Sequence, residues 1–539
     1  LLIIYFNNIF FLIHFNMDLC NEYLHDNIKL YPPMNDYLLY QQFFKTKSTL
    51  PNHLSKTFLK NEVELNDKYL KELNLKKELS SCEKILKYSL EYNNRIEFFI
   101  DREYLLDIND NILFMYYEIC IGKLPPLFNK NDYISVMNRL KTLSAITNEM
   151  IKVLEKGIKE KVILNKLIIE SFLLKSQTIL DEKIKPMNVP KSLKSQFIKD
   201  IEKYIIKNIK KLYLFIINNY LKHSIKDLGL CAYNKGKQYY EEICKNETLS
   251  NLTPEIIHNL GLKHLKDALK LKSALAKKLK VQDIDDHIYK SDNYYNSSPE
   301  IIKDLEIQRN LMYSKLNKYF YQDIDNLYDI KPIASHNMNM SAYYTSPTKF
   351  KGDDGTFYIN VLDPTKISKY ELLCLSIHEG IPGHHYEASL LSKSDKSDYI
   401  KNKLYSGYSE GWAFYCESLY EYDNDFEYYY SLQYRVERSL RLIIDTGIHY
   451  YNWSFNKCFD FMKKYLKYYS DNYIKDQILR YSSIPGQALT YVIGKEVILH
   501  LKKDFLKKNS DIKTFHKIIL DIGPCPLDIL IKRFYELIL

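Results

Sequence analysis

Along residues 55 to 225, apolar positions recur every three or four residues, the period of a helix with one buried face. The stretch NEMIKVLEKGIKEKVILNKLIIESFLLKSQTIL is representative: Leu, Ile and Val at helical spacing, with Lys and Glu between them. Pro125-Pro126 and the segment KPMNVP punctuate the pattern. Further on, LTPEIIHNLGLKHLKDALKLKSALAKKLK opens as a helix, with Thr253 as N-cap and Pro254 in the first turn. Near 330 the texture changes: turn-forming residues become frequent, and two runs, SAYYT and GTFYINVL, read as strands. Helical periodicity resumes after Asp363-Pro364, holds to Pro485-Gly486, and then continues to the C-terminus. No repeat of 20 to 50 residues and no low-complexity tract interrupts it. The pattern predicts a mainly α chain, with an N-terminal helical region over 17–220, a second helical region over 221–539, and one small sheet near 335–365.

Composition narrows the classes. The chain of 539 residues is 46% hydrophobic and 27% charged, a globular balance. Its 49 tyrosines stand beside abundant Lys, Asn, Ile and Leu, residues with AT-rich codons, so enrichment in Tyr or Lys carries no functional weight. The net charge of +9 is scattered over helical faces, without an Arg-rich arm or a basic-aromatic block, which argues against nucleic acid as a partner. The nine cysteines are widely spaced and never in C-x-x-C, so neither a disulfide framework nor a Cys-based zinc site is expected. They read as small buried residues of a reducing, cytoplasmic compartment. The first sixteen residues, LLIIYFNNIFFLIHFN, are apolar but lack a basic n-region and an A-x-A-like cleavage site. They read as an extension ahead of a start at Met17; the alternative is a degenerate signal or anchor, which would make the protein secreted or membrane-attached. No other stretch reaches the length of a membrane span.

One segment carries chemistry. Residues 378–387 read HEGIPGHHYE. His378-Glu379 opens like the zinc-protease signature H-E-x-x-H, in which histidine supplies a neutral nitrogen ligand and the following Glu acts as general base toward water. Pro382 stands where the second histidine belongs. It has no N–H for the carbonyl of His378 and its ring crowds the preceding turn, so the helix must bulge or break. In an unbroken helix His385 would share the face of His378, but about 10 Å further along the axis. A two-residue bulge at Ile381-Pro382-Gly383 would instead bring His384 into the second ligand position. His384 is therefore the favoured ligand and His385 the alternative. A third ligand is expected from a second helix. In YSGYSEGWAFYCESLYEY, Glu410 sits on an otherwise apolar aromatic stretch, where a carboxylate is costly to bury unless paired or metal-bound. Glu417, two turns on, is the candidate partner of a ligand histidine, or else an ordinary surface or capping charge.

These residues resemble the domain-of-unknown-function 885 family, regarded as zincin-like (gluzincin) metallopeptidases. The family's runs resemble H-E-x-x-P-G-H-H-x-Q, E-G-W-A, R-x-x-x-D-T-G-x-H and P-G-Q-A-x-x-Y-x-x-G. They are matched here by His378, Glu379, Pro382, Gly383, His384 and His385; Glu410-Gly411-Trp412-Ala413; Arg441, Asp445, Thr446, Gly447 and His449; and Pro485-Gly486-Gln487-Ala488, Tyr491 and Gly494. YNKGKQYYEEI, LTPEIIHNLGL, AYYTSP and GTFYIN upstream also look like the family, so the likeness spans roughly 220 to 500. Glu387 departs from it, standing where the family has Gln.

The resemblance implies a helical zincin-like fold with a deep central cleft, Zn²⁺ as cofactor and a peptide as substrate. GTFYINVL, just ahead of the metal helix, becomes the candidate edge strand, with Gly355, Phe357 and Tyr358 binding substrate by strand addition. Arg441, Asp445 and His449 stack at four-residue intervals. Asp445 would orient His449 or pair with Arg441, and His449 would stabilise the oxyanion. Tyr491 resembles the oxyanion-binding tyrosine of zincins. Arg480 and Tyr481 are candidates for a substrate carboxylate, and Gln487 for substrate contact. Rival expectations are an inactive peptide- or partner-binding protein on the same fold, and a zinc amidase acting on a non-peptide substrate.

Overall fold

A computed structural model describes residues 18–31, 49–97, 99, 111–122, 127, 129–186, 188–291, 293–333, 342–347, 354–422 and 424–539. Residues 1–17, the Pro125-Pro126 pair and parts of the 335–365 segment lie outside them. The chain is mainly helical with one three-stranded sheet. It divides into two compact units. The first comprises the residues up to Ile225 together with Asp395–Lys403, and the second Lys226–Ser394 with Leu404–Leu539.

The first unit is built from amphipathic helices over a core that includes Phe114, Tyr116, Leu140, Leu143, Ile169, Phe197 and Leu212. Local chemistry starts them: Ser80 and Glu83 form a reciprocal capping box at the helix Ser81–Ile96. Cys20 and Cys82, 62 residues apart, form a disulfide, although the cysteine spacing suggested no disulfide framework. The remaining cysteines among the described residues are not disulfide-bonded, and all but Cys231 are buried.

The second unit holds the sheet and the helices that frame the site. Helix α1 (Pro254–Leu279) begins at Thr253, whose side chain caps the N–H of Ile256. Helix α2 (Leu372–Leu375) runs on into a π-helical turn, Ser376–Gly380. It is followed by α3 (His384–Lys393), α4 (Ser406–Cys416), α5 (Asp425–His449), α6 (Asp471–Ser483) and α7 (Thr490–Leu506). Helix α5 is buried over most of its length and packs along α1. Helices α4 and α7 approach at glycines: a Cβ on Gly411 would lie 2.5 Å from the Cα of Gly494, so neither position has room for a side chain.

The sheet order is β1 (Asp329–Pro332), β3 (Thr356–Ile359), β2 (Ala342–Thr345). Strand β3 pairs parallel with β1, Ile330 opposite Phe357, and antiparallel with β2, Tyr344 opposite Phe357. GTFYINVL is thus the central strand and not the expected edge. Both its hydrogen-bonding sides are taken, and it is β2 that lies beside the π-helical turn. No described helix is long and apolar enough to cross a membrane.

Candidate metal centre

The site begins where Pro382 ends a helix. His378 lies in the π-helical turn, Ile381 is extended (φ −111°, ψ 126°), the Ile381–Pro382 peptide is cis, and α3 starts at His384. The chain therefore breaks and restarts; the expected two-residue bulge within one continuous helix is not what resets the register. Gly383 makes the reversal possible. Its N–H donates to the Ile377 carbonyl at 3.0 Å, and a Cβ there would lie 2.0 Å from the carbonyl oxygen of His378. Trp412 Nε1 donates to the carbonyl of Pro382 at 3.0 Å, tying the loop to α4. The imidazoles of His378 and His384 end edge to face, centroids 4.9 Å apart at 87°.

Helix α4 brings in Glu410. Its Oε2 lies 3.4 Å from His378 Nε2 and 3.5 Å from His384 Nε2, and three ligand atoms, one from each residue, fall within 4.8 Å of one another. Oε2 is buried and has no hydrogen-bond partner. A buried carboxylate oxygen without a hydrogen-bond partner is costly, and with two imidazole nitrogens converging on it the three groups could hold a cation. Two histidine nitrogens and a carboxylate are the donor set of a zinc site that keeps a position open, so these residues fit the ion. The three groups are also coupled in charge. Burial opposes it, but the two histidines hold Glu410 well below the usual carboxylate range. Burial would likewise depress His378, yet Glu410, Glu417 and Glu379 raise it to about 9. His384 is raised against burial by Glu410.

Further side chains fix these ligands. His378 Nδ1 lies 2.8 Å from Glu417 Oε1, and Arg438 Nη2 donates to the same oxygen at 3.1 Å. With Nδ1–H donating to Glu417, Nε2 of His378 is left to face Glu410. Tyr491 Oη donates to Glu410 Oε1 at 2.9 Å and accepts from Arg480 Nη2 at 3.1 Å; Arg480 also donates to Gln487 Oε1 at 2.9 Å. Glu379 is half-buried beside them, and its charge helps raise both histidines.

Other expected residues stand elsewhere. His385 points away from the three candidate ligands: its Nδ1 meets the Tyr344 hydroxyl at 2.9 Å and its Nε2 the Asn326 carbonyl at 3.2 Å. Burial lowers it to about 4, so it is neutral. His449 is buried against Tyr240, with Nδ1 accepting from the Leu230 N–H at 3.1 Å and Nε2 2.8 Å from the Tyr481 carbonyl. Both nitrogens are committed to backbone, so the expected oxyanion role is withdrawn. Asp445 neither orients His449 nor pairs with Arg441; it accepts from the Tyr240 hydroxyl and the Gly486 N–H. Phe357 is wholly buried, Tyr358 stacks on Tyr343, and Gly355 accepts the Asp329 N–H at the start of the sheet. With β3 paired on both sides, these three serve the sheet, and strand addition to β3 is not available. Arg438 was not anticipated; its signal was its place one turn before Arg441 on the same buried helical face.

Residues 39–533 match the family described as "Bacterial protein of unknown function (DUF885)". The chain belongs to that family. No curated protein matches it. Among solved structures it is similar to the "putative lipoprotein" of Colwellia psychrerythraea, with a TM-score of 0.81 at 18% identity, covering 96% of this chain and 98% of that one. It is also similar to a "putative lipoprotein of unknown function" from Shewanella oneidensis, with a TM-score of 0.71 at 16% identity, covering 96% and 99%. At these identities the likeness is one of fold.

Within this DUF885 chain, Glu387 is the departure from the family-like run. It is buried on α3, accepts from Ser409 Oγ at 2.5 Å, and burial raises its pKa.

Proposed function

We propose that this DUF885 protein is a zinc-dependent peptidase acting on short or unfolded peptides, with Glu379 as general base. The observation that carries the reading is the Oε2 atom of Glu410, buried, without a hydrogen-bond partner and faced by two imidazole nitrogens at 3.4 and 3.5 Å. His378, His384 and Glu410 would hold the ion. Bound there, Zn²⁺ supplies Lewis acidity toward a carbonyl and lowers the pKa of water. Glu379, next in the chain to His378, accepts a proton from the attacking water. The water oxygen adds to the peptide carbonyl carbon, and Glu379 passes the proton to the leaving nitrogen as the C–N bond breaks. Tyr491 positions Glu410 by donating to its Oε1, and turned away from it that hydroxyl would donate to the developing oxyanion.

The Cys20–Cys82 disulfide and the lipoprotein descriptions of the two solved relatives support an exported, membrane-attached setting over the cytoplasm. The test of activity is digestion of a mixed-sequence peptide library by the zinc-loaded chain and by Glu379→Gln. Cleavage by the parent, reduced at least about a hundredfold in the variant, is expected for loss of a general base. Equal cleavage by both removes Glu379 from the role. No cleavage by the zinc-loaded parent favours the peptide-binding alternative.

A further inference from the structure

We propose that Arg441 and Arg480 form a clamp for a carboxylate of the substrate, the C-terminal carboxylate of a short peptide, beside the metal centre. The inference rests on the peptidase reading and names its substrate class: peptides trimmed from the C-terminal end.

The argument is one of unmatched charge. Helix α5 carries Arg438 and Arg441 into the interior. Arg438 is matched, because it donates to Glu417. Arg441 is not. It is 9% exposed, its Nε and Nη1 reach no acceptor, and among the described residues no carboxylate pairs with it. Its remaining polar contact is with Tyr481, and its guanidinium lies over the Tyr491 ring, 4.1 Å from the centroid. The carboxylate one turn away on the same helix, Glu437, is taken up by the hydroxyls of Tyr469 and Tyr473. Arg480 on α6 is half-buried, and among the described residues its side chain bonds neutral groups, the Tyr491 hydroxyl and Gln487 Oε1. Two guanidiniums therefore meet at one tyrosine, and the carboxylates near them, Glu437 and Glu410, are hydrogen-bonded to tyrosine hydroxyls and not to either guanidinium. Burying guanidinium N–H groups without acceptors is expensive, and a bound carboxylate would satisfy the Nε and Nη1 of Arg441 that the described residues leave open.

Position says what the anion belongs to. Tyr491 Oη also donates to Glu410 Oε1 at 2.9 Å, so Arg480 stands two hydrogen bonds from the ligand carboxylate. A guanidinium is a planar fork of donors that fits a carboxylate edge on. An extended residue advances about 3.4 Å, so a terminal carboxylate held here leaves a peptide bond one or two residues upstream at the metal centre. A glutamate or aspartate side chain offers the same chemistry, and the test separates the two.

The full-length chain carrying Glu379→Gln, zinc-loaded, is titrated into three peptides labelled at the N-terminus with a fluorophore and followed by anisotropy. One is a free acid, one is its C-terminal amide, and one is an amide with glutamate as last residue. The free acid is expected to bind about tenfold or more tighter than the plain amide, as charge-assisted bonds to arginine imply. Adding Arg480→Gln, with fold and zinc content checked because Arg480 bonds the tyrosine that holds Glu410, is expected to bring that ratio below about threefold. Arg441→Lys, checked by its melting curve, is expected to narrow it as well. Tight binding of the glutamate amide, lost with Arg480, also supports carboxylate recognition and moves its source to a side chain. Equal binding of all three peptides, a preference untouched by both substitutions, or no binding of any peptide overturns the clamp. Cleavage by the parent chain is scored separately. Turnover without acid preference leaves hydrolysis standing and removes the clamp, whereas acid-selective binding without turnover does the reverse.

Discussion

His378 Nδ1 lies 2.8 Å from Oε1 of Glu417, and both side chains are buried. The contact orients the imidazole so that its other nitrogen meets Glu410, and Arg438 in turn holds Glu417. Glu417→Gln keeps the shape but weakens the acceptor. It is expected to lower zinc affinity about ten- to a hundredfold, the usual loss when a ligand histidine's carboxylate partner is changed. Competition with a chelator of known affinity measures it. Glu417→Ala additionally strands Arg438 in the interior and is expected to cost about 3–5 kcal/mol of stability in a denaturant melt.

The position of Glu410 depends on two glycines away from the chemistry. Gly411 and Gly494 meet where α4 crosses α7, and a Cβ on Gly494 would lie 2.0 Å from the carbonyl oxygen of Gly407. Backbone lies on both sides, so neither helix yields cheaply. Gly494→Ala is expected to destabilise by about 1–3 kcal/mol or more. It should also reduce zinc retention, because the shift moves α4 and with it Glu410. A melt and a metal assay on the same sample separate the two effects.

His449→Gln distinguishes a structural histidine from a catalytic one. Burial holds His449 neutral, with a pKa lowered to about 4, and both ring nitrogens meet backbone. The substitution is expected to lower stability by about 1–3 kcal/mol, the cost of stranding a buried polar group. Zinc stoichiometry and the kcat of the remaining folded fraction are expected to stay at parent values. A drop in kcat of a hundredfold at full zinc occupancy would return His449 to the mechanism.

The Asp445 carboxyl supplies a pH test. Burial raises its pKa to about 7, against the hydrogen bonds from Tyr240 and Gly486. A carboxyl whose folded pKa exceeds its unfolded value favours the fold while protonated. Its contribution is full below the unfolded pKa near 3.8 and is lost as pH rises toward about 7. Asp445→Asn removes this titration. Relative to the variant, the parent is expected to lose stability between pH 4 and pH 7, read from paired guanidinium melts. Parallel pH profiles contradict the assignment.

Much of the site could be read from residue types, because ionisable groups inside apolar helices need a reason. Glu410 in a run of aromatic residues and His384 behind a proline are such cases. Pro382 announced the break, since it lacks the N–H that a continuing helix requires. What could not be read was what covers each helical face. Four-residue spacing puts Asp445 and His449 on one side of α5, yet their partners, Tyr240 and the Leu230 N–H, lie more than two hundred residues upstream. The central place of β3 was hidden for a related reason. Its parallel neighbour β1 is the run Asp-Ile-Lys-Pro, which carries no strand signature. The Cys20–Cys82 pair was equally silent, as 62 residues separate the two cysteines with no motif around either.

The most direct measurement is the zinc content of the purified chain after loading and desalting, by elemental mass spectrometry, for the parent, His384→Ala, His385→Ala and Glu410→Gln. The account predicts about one zinc per chain in the parent and in His385→Ala, and a large loss in His384→Ala and Glu410→Gln, as removal of one of three protein ligands requires. No stoichiometric zinc in the folded parent, or zinc that stays with His384→Ala and leaves with His385→Ala, would contradict it.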